Sequence, residues 1–450
     1  MMYDDIANNT QNPHKGKIFN SPEGHDVYEG VRIDYKGLDV TPENFIAVLL
    51  GDKEKAGGKR VLERNPHKGK IFNSPEGHDV YEGVRIDYKG LDVTPENFIA
   101  VLLGDKEKAG GKRVLESTKN DKVFIYFTDH GATGLIGFPG DILSVKNFSD
   151  TLLSMHKRKK YGELTFYLEA CESGSMFDEH MPESLKIYAM TAANGHESSW
   201  GCYCETEILP DNCLGDLFSV NWMDDSDKEN LLQETLARQF RIVRRKTDKS
   251  HVQSFGSLNI KHEHVSEFMG SKEPKKTRKN LLSKSKPKDY PMYPSRDIPL
   301  FLMAQKLKGN GDNDIMAANA LQTLQKLFFK DYTFFTNCKK VVIIKSFFPT
   351  ETSLFAKQIT QIVKKLVRNP VDQLHTITIY PQRFTDKECH HRVVHTFNKF
   401  CFNFSENSYA MKYAFVLTNL CERGIKARQI EAVMKEHCAE AGAKTIRGII

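Results

Sequence analysis

The sequence VFIYFTDHG, residues 123–131, is a run of apolar and aromatic residues that ends abruptly in Asp-His-Gly. A continuous apolar run of this length is typical of a strand that is buried on both faces of a sheet. Polar residues followed by glycine are also ordinary turn material, so one interpretation is that the strand simply ends there. The other interpretation gives His130 a chemical role, which requires a partner for its imidazole.

A second apolar strand, within FYLEACESGSMF at residues 166–177, also ends in a reactive group followed by small residues. Strands alternate with helices along this part of the chain, with strands predicted over 122–129, 164–170 and 186–192 and helices over 144–156 and 227–243. This alternation predicts an α/β fold with a mostly parallel sheet flanked by helices. Neighbouring parallel strands end at the same edge of the sheet, so we expect His130 and Cys171 to lie side by side.

A cysteine beside a histidine is a plausible nucleophilic pair. The thiol is a strong nucleophile only as thiolate, and an adjacent imidazole can accept its proton and later protonate a leaving amine. The backbone N–H groups of Gly131 and Cys171 could stabilise an oxyanion on the attacked carbonyl. A lone histidine or cysteine at a strand end is more often structural. The matched positions of the two residues favour the catalytic interpretation.

Charge is distributed unevenly along the 450 residues. Residues 1–270 carry 33 Lys and Arg against 43 Asp and Glu, a net −10, and residues 271–450 carry 31 against 15, a net +16. The basic part could bind nucleic acid, but it lacks aromatic residues arranged to stack on bases, so we expect no nucleic-acid partner. No apolar run approaches the ~20 residues that span a bilayer, and no signal peptide is visible, so we expect no membrane segment.

The C-terminal part is predicted to be helical. Residues 272–288 have the basic, proline- and serine-containing composition of a linker. Apolar periodicity beyond it predicts a compact all-α domain, with helices near residues 319–329, 354–366, 390–400, 409–420 and 430–438. We therefore expect three parts, with boundaries at 1–270, 271–313 and 314–450.

Nine cysteines occur in the chain. Three of them, Cys202, Cys204 and Cys213, lie in one loop region near His196, but their spacing is not that of a standard zinc site. We expect an extra loop disulfide or free thiols there, and no metal. Four cysteines in the last stretch are spaced as two bridges would be, and with the glycosylation sequons at Asn8, Asn147 and Asn403 they favour an oxidising, secretory-route compartment.

Residues 12–63 reappear as residues 65–116, which is 52 identical residues. Each copy contains the helix-like segment DVTPENFIAVLLGD, in which Thr94 or Asp92 could cap the helix of the second copy. Two complete copies do not make a solenoid. One such helix fits a single α/β domain and a second copy has no evident place to pack, so we interpret the repeat as a duplicated exon or a gene-model error.

Several long segments resemble the legumain family, the asparaginyl endopeptidases among the caspase-like cysteine peptidases. They are FIYFTDHG, FYLEACESGSMF, TAAN, ESSWGCY and CLGDLFSVNWMDDSD. The likeness runs from Met1 to the C-terminus, allowing for the duplication. It implies a caspase-like peptidase domain followed by a helical prodomain that is stapled by disulfides and covers the active site. It also implies a zymogen that needs no cofactor and acts on protein and peptide substrates after asparagine.

The resemblance assigns roles to individual residues. Cys171 matches the nucleophile, His130 the catalytic base and Gly131 the oxyanion position. The matching residues of the specificity pocket are Glu169, Ser199 and Asp216, although either carboxylate could instead belong to an ion pair or a turn.

Other positions follow from the same resemblance. Asp129 matches a residue that the family tends to convert to a cyclic imide. Autocleavage is expected after Asn313 or the nearby Asn310. The implied disulfides are Cys389–Cys421 and Cys401–Cys438, and the implied location is lysosomal, vacuolar or secreted.

The family normally begins with a strand and loop that would precede MMYDD. That segment carries an asparagine that orients the histidine and an arginine of the specificity pocket, so we expect an exposed sheet edge and impaired activity in the chain as written. Two other functions remain open. One is a catalytically inactive relative that works by binding. The other is an enzyme similar to the transamidases that attach lipid anchors, which normally carry a membrane segment and lack the four-cysteine domain.

Overall fold

The computed structural model describes most of the chain beyond residue 70. The described ranges are 70–75, 77, 79–178, 181–209, 212–270, 286–298, 301, 354–381 and 384–440. Before residue 70 they are 2–3, 7, 10–19, 24, 26, 35–36, 39–50 and 55. The chain divides into two compact units, Met1–Ile71 and Phe72–Ile450.

The first unit contains the first copy of the repeat. Strand β1 (Met2–Tyr3) pairs in parallel with β2 (Tyr35–Lys36), and helix α1 (Pro42–Leu50) follows. Its small core includes Tyr35 and Ala47. Two large side chains of α1, Phe45 and Ile46, stay 52% and 54% exposed.

The second copy of the same nine residues forms helix α2 (Pro95–Leu103) in the second unit. The Thr94 side chain accepts a hydrogen bond from Asn97 N, so Thr94 rather than Asp92 caps the helix. Phe98 packs against Phe127 and Phe138, so the counterparts of the exposed α1 residues are covered here. Identical sequence is thus well packed in one copy and poorly packed in the other, which fits a repeat without a structural purpose.

The central sheet of the second unit has the strand order β11–β8–β7–β3. Strands β3 (Lys122–Thr128), β7 (Glu163–Glu169) and β8 (Ile187–Thr191) run parallel, and β11 (Gln253–Gly256) pairs antiparallel to β8. The predicted mostly parallel α/β fold is therefore confirmed. Within the described part of the chain, β3 is paired along only one of its edges.

Two smaller sheets flank the C-terminal edge of the central sheet. Strands β4 (Gly131–Ala132), β5 (Leu135–Gly137) and β6 (Ile142–Ser144) form an antiparallel meander directly after β3. Strands β9 (Trp200–Cys204), β10 (Cys213–Asp216) and β12 (Tyr293–Pro294) form the other, in the order β10–β9–β12.

Helices cover both faces of the central sheet. Alternate residues of β7 face opposite layers, because successive strand side chains point to opposite sides. On one face, helix α3 (Val145–Lys157) buries its apolar residues against Leu164, Phe166 and Leu168. On the other face, Tyr167 packs among residues of helices α4 (Leu217–Lys228) and α5 (Leu236–Lys246), including Phe218, Trp222 and Leu236. A short helix α6 (Val265–Met269) follows β11.

The single helix predicted over residues 227–243 is wrong. Helix α4 ends at Lys228 and α5 starts only at Leu236. Glu229 is extended, Asn230 begins a turn, and Thr235 caps α5 by accepting a hydrogen bond from Arg238 N. A local turn and a new N-cap therefore interrupt a pattern that looks continuous by apolar spacing alone.

The C-terminal region is helical, as predicted. Its helices are α7 (Leu354–Leu366), α8 (Pro370–Thr378), α9 (Lys387–Phe400), α10 (Ala414–Glu422) and α11 (Ala427–Glu440). The predicted helix near 319–329 lies outside the described residues. Disulfides join Cys389 to Cys421 and Cys401 to Cys438, the pairs that the resemblance implies. No helix in the described part of the chain is long and apolar enough to cross a membrane.

Helix α9 lies against the small meander formed by β4, β5 and β6. His390 Nε2 is 3.1 Å from Thr133 O, and His391 Nδ1 is 2.7 Å from Ser144 Oγ. Asn398 Nδ2 donates to Asp141 Oδ1 at 3.0 Å. The helical region therefore packs against the meander that directly follows β3.

A buried polar network behind β7 connects the sheet to α4 and α5. Tyr167 Oη donates to Gln239 Oε1 at 2.6 Å, and Gln239 Nε2 donates to Asp225 Oδ2 at 3.3 Å. Glu234 lies beside this network and, like Asp225, is only 2% exposed. Burial, together with repulsion from Asp225, raises the pKa of Glu234 to about 8.

We expect the thermal stability of the protein to fall as pH rises from about 5 to 8. A carboxyl group whose folded pKa exceeds its unfolded pKa stabilises the fold while it is protonated, and this contribution disappears as the group ionises. Glu234→Gln should flatten the fall, because the amide needs no proton to remain neutral. Melting temperatures across that pH range measure the effect.

The matched control for that measurement is Glu436→Gln, at an exposed carboxylate of the helical region that pairs with Lys365. It should leave the slope of melting temperature against pH as in the parent chain. An unchanged slope in the Glu234 variant would contradict the assignment.

Candidate active site

The register between β3 and β7 places two polar strand ends next to each other. Thr128 lies opposite Glu169, and Asp129 N donates to Glu169 O at 3.2 Å. A Cβ atom on Gly131 would lie 2.4 Å from Cys171 O, a separation that real Cβ atoms essentially never show. Glycine is therefore required where the chain leaving β3 passes the cysteine, and the Asp-His-Gly segment follows β3 at the edge of the sheet where Cys171 follows β7.

Cys171 is a buried thiol, only 1% exposed. Burial raises its pKa, and the nearby Arg296 guanidinium partly offsets this effect. Its Sγ lies 3.7 Å from Ser199 Oγ. In this form of the protein the sulfur is thus a protonated thiol, held next to a hydroxyl group.

His130 is held as a neutral imidazole. Burial lowers its pKa, the neighbouring Asp129 opposes that shift, and Arg296 adds to it. Asp129 Oδ1 accepts a hydrogen bond from His130 N at 2.6 Å, while burial raises the pKa of the Asp129 carboxyl. A neutral imidazole at this edge of the sheet can accept a proton, as a general base must.

Three further residues singled out by the sequence lie together beside the thiol. Glu169 is fully buried at the end of β7, and its Oε2 accepts hydrogen bonds from Ser219 N at 3.1 Å and Ser219 Oγ at 2.9 Å. Burial, with repulsion from Asp216, raises the pKa of Glu169 well above its ordinary value. For Asp216, burial raises the pKa to about 6. The buried Glu169 and Ser199 and the half-buried Asp216 thus form a cluster of acids and a hydroxyl group next to Cys171.

The structure adds residues that sequence reasoning missed. Arg296, 4% exposed, forms a two-pronged ion pair with Glu172, with distances of 2.6 and 2.8 Å. Its Nη1 also donates to Gly131 O at 2.9 Å. Ser295 Oγ lies 3.2 Å from Ser199 Oγ. Neither residue had a signal in the sequence, since both follow a linker-like segment and reach the site only through tertiary packing.

The backbone of Glu172 is in an unusual conformation. Its φ is +49°, in the left-handed region that non-glycine residues rarely adopt. Strain of this kind concentrates at functional sites, where surrounding contacts hold it in place. Glu172 directly follows Cys171, and its pairing with Arg296 together with the hydrogen bond from Glu172 N to Glu197 O supplies those contacts.

The three loop cysteines form one disulfide and leave one free thiol. Cys204 and Cys213 form a disulfide across β9 and β10, and Cys202 is a buried free thiol. The ring of His196 lies 5.5 Å from that of Tyr380. Among the residues that the structure describes, no group of three or more His, Cys, Asp or Glu could hold a metal ion. Asn310 and Asn313, the expected autocleavage sites, lie outside the described residues.

The chain is similar in sequence to a known protein family. The profile of the peptidase C13 family matches residues 1–65 and again residues 62–271, and the legumain prodomain profile matches residues 350–438. Legumain of Mus musculus is 38% identical over 382 residues, covering 84% of this chain and 81% of that protein. Legumain of Rattus norvegicus is 35% identical over 441 residues, covering 97% and 83%. Hemoglobinase of Schistosoma japonicum is 36% identical over 399 residues, covering 89% and 85%.

We expect Cys171 to react slowly with iodoacetamide at pH 7 in the intact protein. Burial blocks the reagent, and the raised pKa reduces the thiolate fraction about tenfold for each unit. The labelling rate should be at least about tenfold lower than in the same chain unfolded in urea. Mass spectrometry of the peptide that contains residue 171 separates its labelling from that of Cys202, and equal rates in the two states would contradict the buried geometry.

Proposed function

This chain belongs to the peptidase C13 family and is a cysteine endopeptidase made as a zymogen with a C-terminal prodomain, and we propose that it hydrolyses peptide bonds after asparagine. The observation that carries the proposal is the β3–β7 register, which brings Asp-His-Gly to the cysteine beside a pocket of buried acids and hydroxyls. We further propose that the peptidase domain covers residues 1–270, the activation segment 271–313 and the prodomain 314–450.

The proposed chemistry uses the two strand ends. Cys171 transfers its proton to His130 and attacks the carbonyl carbon of the substrate, forming a carbon–sulfur bond. The N–H groups of Gly131 and Cys171 are the proposed donors to the oxyanion. Collapse of the intermediate expels the amine, which takes the proton from His130. A water molecule, deprotonated by His130, then hydrolyses the thioester and restores the thiol.

The chemistry of the pocket supports asparagine as the preferred residue. An asparagine side chain offers an NH₂ group that donates and a carbonyl oxygen that accepts. Glu169 and Asp216 supply carboxyl oxygens, and Ser199 supplies a hydroxyl group that can donate to the amide oxygen. A buried site built on hydrogen bonds rejects side chains that leave its polar groups unpaired, which disfavours apolar residues and the longer glutamine.

Contacts of the helical region support its role as an intramolecular inhibitor. Tyr380 Oη lies 3.4 Å from Glu172 Oε1, directly beside the nucleophile. Residues 1–270 carry a net charge of −10 and residues 271–450 a net charge of +16, so the two parts should attract each other at neutral pH. Acid protonates carboxylates on the acidic side and weakens that attraction, so we propose that acidification loosens the inhibitor and permits cleavage near Asn310 or Asn313.

The proposed location is an acidic lysosomal or vacuolar compartment, or the outside of the cell. Three disulfides among the described cysteines are typical of proteins that mature in an oxidising compartment.

We expect the purified chain, after incubation at about pH 4.5, to cleave a short peptide on the carboxyl side of asparagine. The pocket is proposed to hydrogen-bond the short amide side chain of asparagine. The matched glutamine peptide should therefore be cleaved with a kcat/KM at least about tenfold lower. Cys171→Ala should abolish turnover, because no other group in the described site replaces the thiolate.

A chain that binds the asparagine peptide but never cleaves it would be an inactive relative that works by binding. Cleavage that persists in Cys171→Ala would point to a contaminating protease and would not support the proposal.

We also expect acid to separate the two regions. At low ionic strength, a chain cleaved between residues 298 and 354 should elute as one species at pH 7 and as two at about pH 4.5, because charge attraction weakens as carboxylates are protonated. Size-exclusion chromatography measures this. Co-elution at pH 4.5 in low salt would contradict electrostatic release.

A further inference from the structure

A chain of hydrogen bonds runs from strand β3 through helix α4 to Glu169 of the proposed specificity pocket. Tyr126 Oη donates to Ser219 Oγ at 2.7 Å. Ser219 Oγ in turn donates to Glu169 Oε2 at 2.9 Å, and Ser219 N donates to the same oxygen at 3.1 Å. One carboxyl oxygen of Glu169 therefore accepts two hydrogen bonds from a single residue.

The two hydroxyl groups of this chain are held in place by the fold. Ser219 is the third residue of α4, where the backbone N–H has no partner within the helix and the helix dipole favours a carboxyl group. Tyr126 lies opposite Tyr167 of β7, and its ring packs edge-on against Trp222 of α4 with 5.0 Å between the ring centroids. Packing between β3 and α4 thus fixes the hydroxyl group of Tyr126 relative to that of Ser219.

The other carboxyl oxygen of Glu169 is left without a bond. Oε1 is buried, and no donor among the described residues lies at hydrogen-bonding geometry to it. The Ser199 hydroxyl group and the Asp216 carboxyl group are near enough to shift the pKa of Glu169, so the carboxyl group lies between α4 and these two pocket residues. A buried polar atom without a partner is rare and costly in a folded protein.

A purely structural interpretation of these contacts is that Glu169 only caps α4. For that purpose the hydrogen bond from Ser219 N would suffice, because backbone N–H groups are what the start of a helix leaves without partners. The hydroxyl groups of Ser219 and Tyr126 add donors that a cap does not require, and Oε1 stays unpaired in the interior. A role in orienting the carboxyl group accounts for both features.

We propose that Ser219 and Tyr126 are positioning residues for substrate specificity, which fix Glu169 Oε2 so that Oε1 meets the side-chain amide of the substrate asparagine. The inference rests on the proposed function and deepens it, since it names what holds the pocket carboxyl group in place. A carboxyl group that is tied through one oxygen cannot turn to follow a longer side chain. The fixed orientation therefore selects asparagine over glutamine.

The test compares two peptides that differ by one methylene group in the side chain before the cleaved bond. In the full chain activated at about pH 4.5, Ser219→Ala should lower kcat/KM on the asparagine peptide at least about tenfold, because the carboxyl group loses its fixed orientation. On the glutamine peptide kcat/KM should change less than about twofold, since that side chain is not aligned in the parent chain either.

The decisive readout is the ratio of the two kcat/KM values. It should fall about tenfold in Ser219→Ala. A variant that is partly unfolded or incompletely activated would lower both values by the same factor and leave the ratio unchanged. The ratio is thus independent of how much of each variant becomes active, and circular dichroism shows that each variant is folded.

Three further variants resolve the contributions along the chain of hydrogen bonds. Tyr126→Phe removes the donor to Ser219 but leaves both hydrogen bonds to Glu169, so the ratio should fall by only about two- to threefold. Ser219→Thr keeps a hydroxyl group and should retain most of the parent ratio. The matched control is Ser226→Ala, two turns further along α4, where the hydroxyl group accepts from Gln239 Nε2 at 2.9 Å. It should leave the ratio as in the parent chain.

Binding measured without catalysis separates this inference from the proposed function. The background is the Cys171→Ala chain, cut between residues 298 and 354 and brought to about pH 4.5. In that background Ser219→Ala should raise the dissociation constant of the asparagine peptide at least about fivefold and leave that of the glutamine peptide unchanged. Fluorescence polarisation of labelled peptides measures both constants.

The outcomes of the two measurements are distinct. If the parent chain prefers the asparagine peptide but Ser219→Ala lowers both kcat/KM values by the same factor, Ser219 is only structural. The positioning role is then overturned and the proposed function stands. If no peptide is cleaved but binding of the asparagine peptide depends on Ser219, the positioning role stands and the proposed activity is wrong. If no peptide is cleaved and binding does not depend on Ser219, both are wrong.

Discussion

Seven residue pairs join β3 to β7, from Lys122 opposite Glu163 to Thr128 opposite Glu169. This parallel pairing is the constraint on which the site depends. A slip of one residue would turn Phe166 and Tyr167 to the wrong layers and would move the Asp-His-Gly segment away from Cys171. The two hydrophobic layers fix the register, since β7 alternates its side chains between them. Packing of the hydrophobic core therefore fixes the position of the Asp-His-Gly segment relative to Cys171.

The site concentrates ionisable groups that are costly to bury. Glu169, Glu172 and Asp216 lie within the protein beside the Cys171 thiol, and burial raises the pKa of each carboxyl. A hydrogen bond from Ser219 offsets part of the cost of burying Glu169, and the ion pair with Arg296 offsets part of the cost of burying Glu172. Glu169 and Asp216 stabilise the fold most while they are protonated, so these two groups and the proposed compartment favour the same acidic conditions.

In the described form, the contacts that compensate the Glu172 carboxylate lie directly beside the buried Cys171 thiol. Burial, with a smaller contribution from Arg296, lowers the pKa of His130, and at Cys171 burial outweighs the opposite effect of Arg296, so the imidazole and the thiol both stay neutral. Tyr380 of the helical region reaches the same carboxylate. The residue that directly follows the cysteine is thus held both by the segment around residue 296 and by the helical region.

The sequence alone determined the alternation of strands and helices, the acidic and basic halves, and the neighbouring strand ends at His130 and Cys171. These follow from local periodicity and from the rule that parallel strands end at one edge. Tertiary structure decided the break between α4 and α5. A turn at Asn230 and a helix cap at Thr235 interrupt the chain there, although the spacing of apolar residues predicts one continuous helix. It also decided that Ser295 and Arg296 reach the cleft, because the partners Asp216 and Glu172 lie 79 and 124 residues away along the chain and leave no periodic trace in the segment.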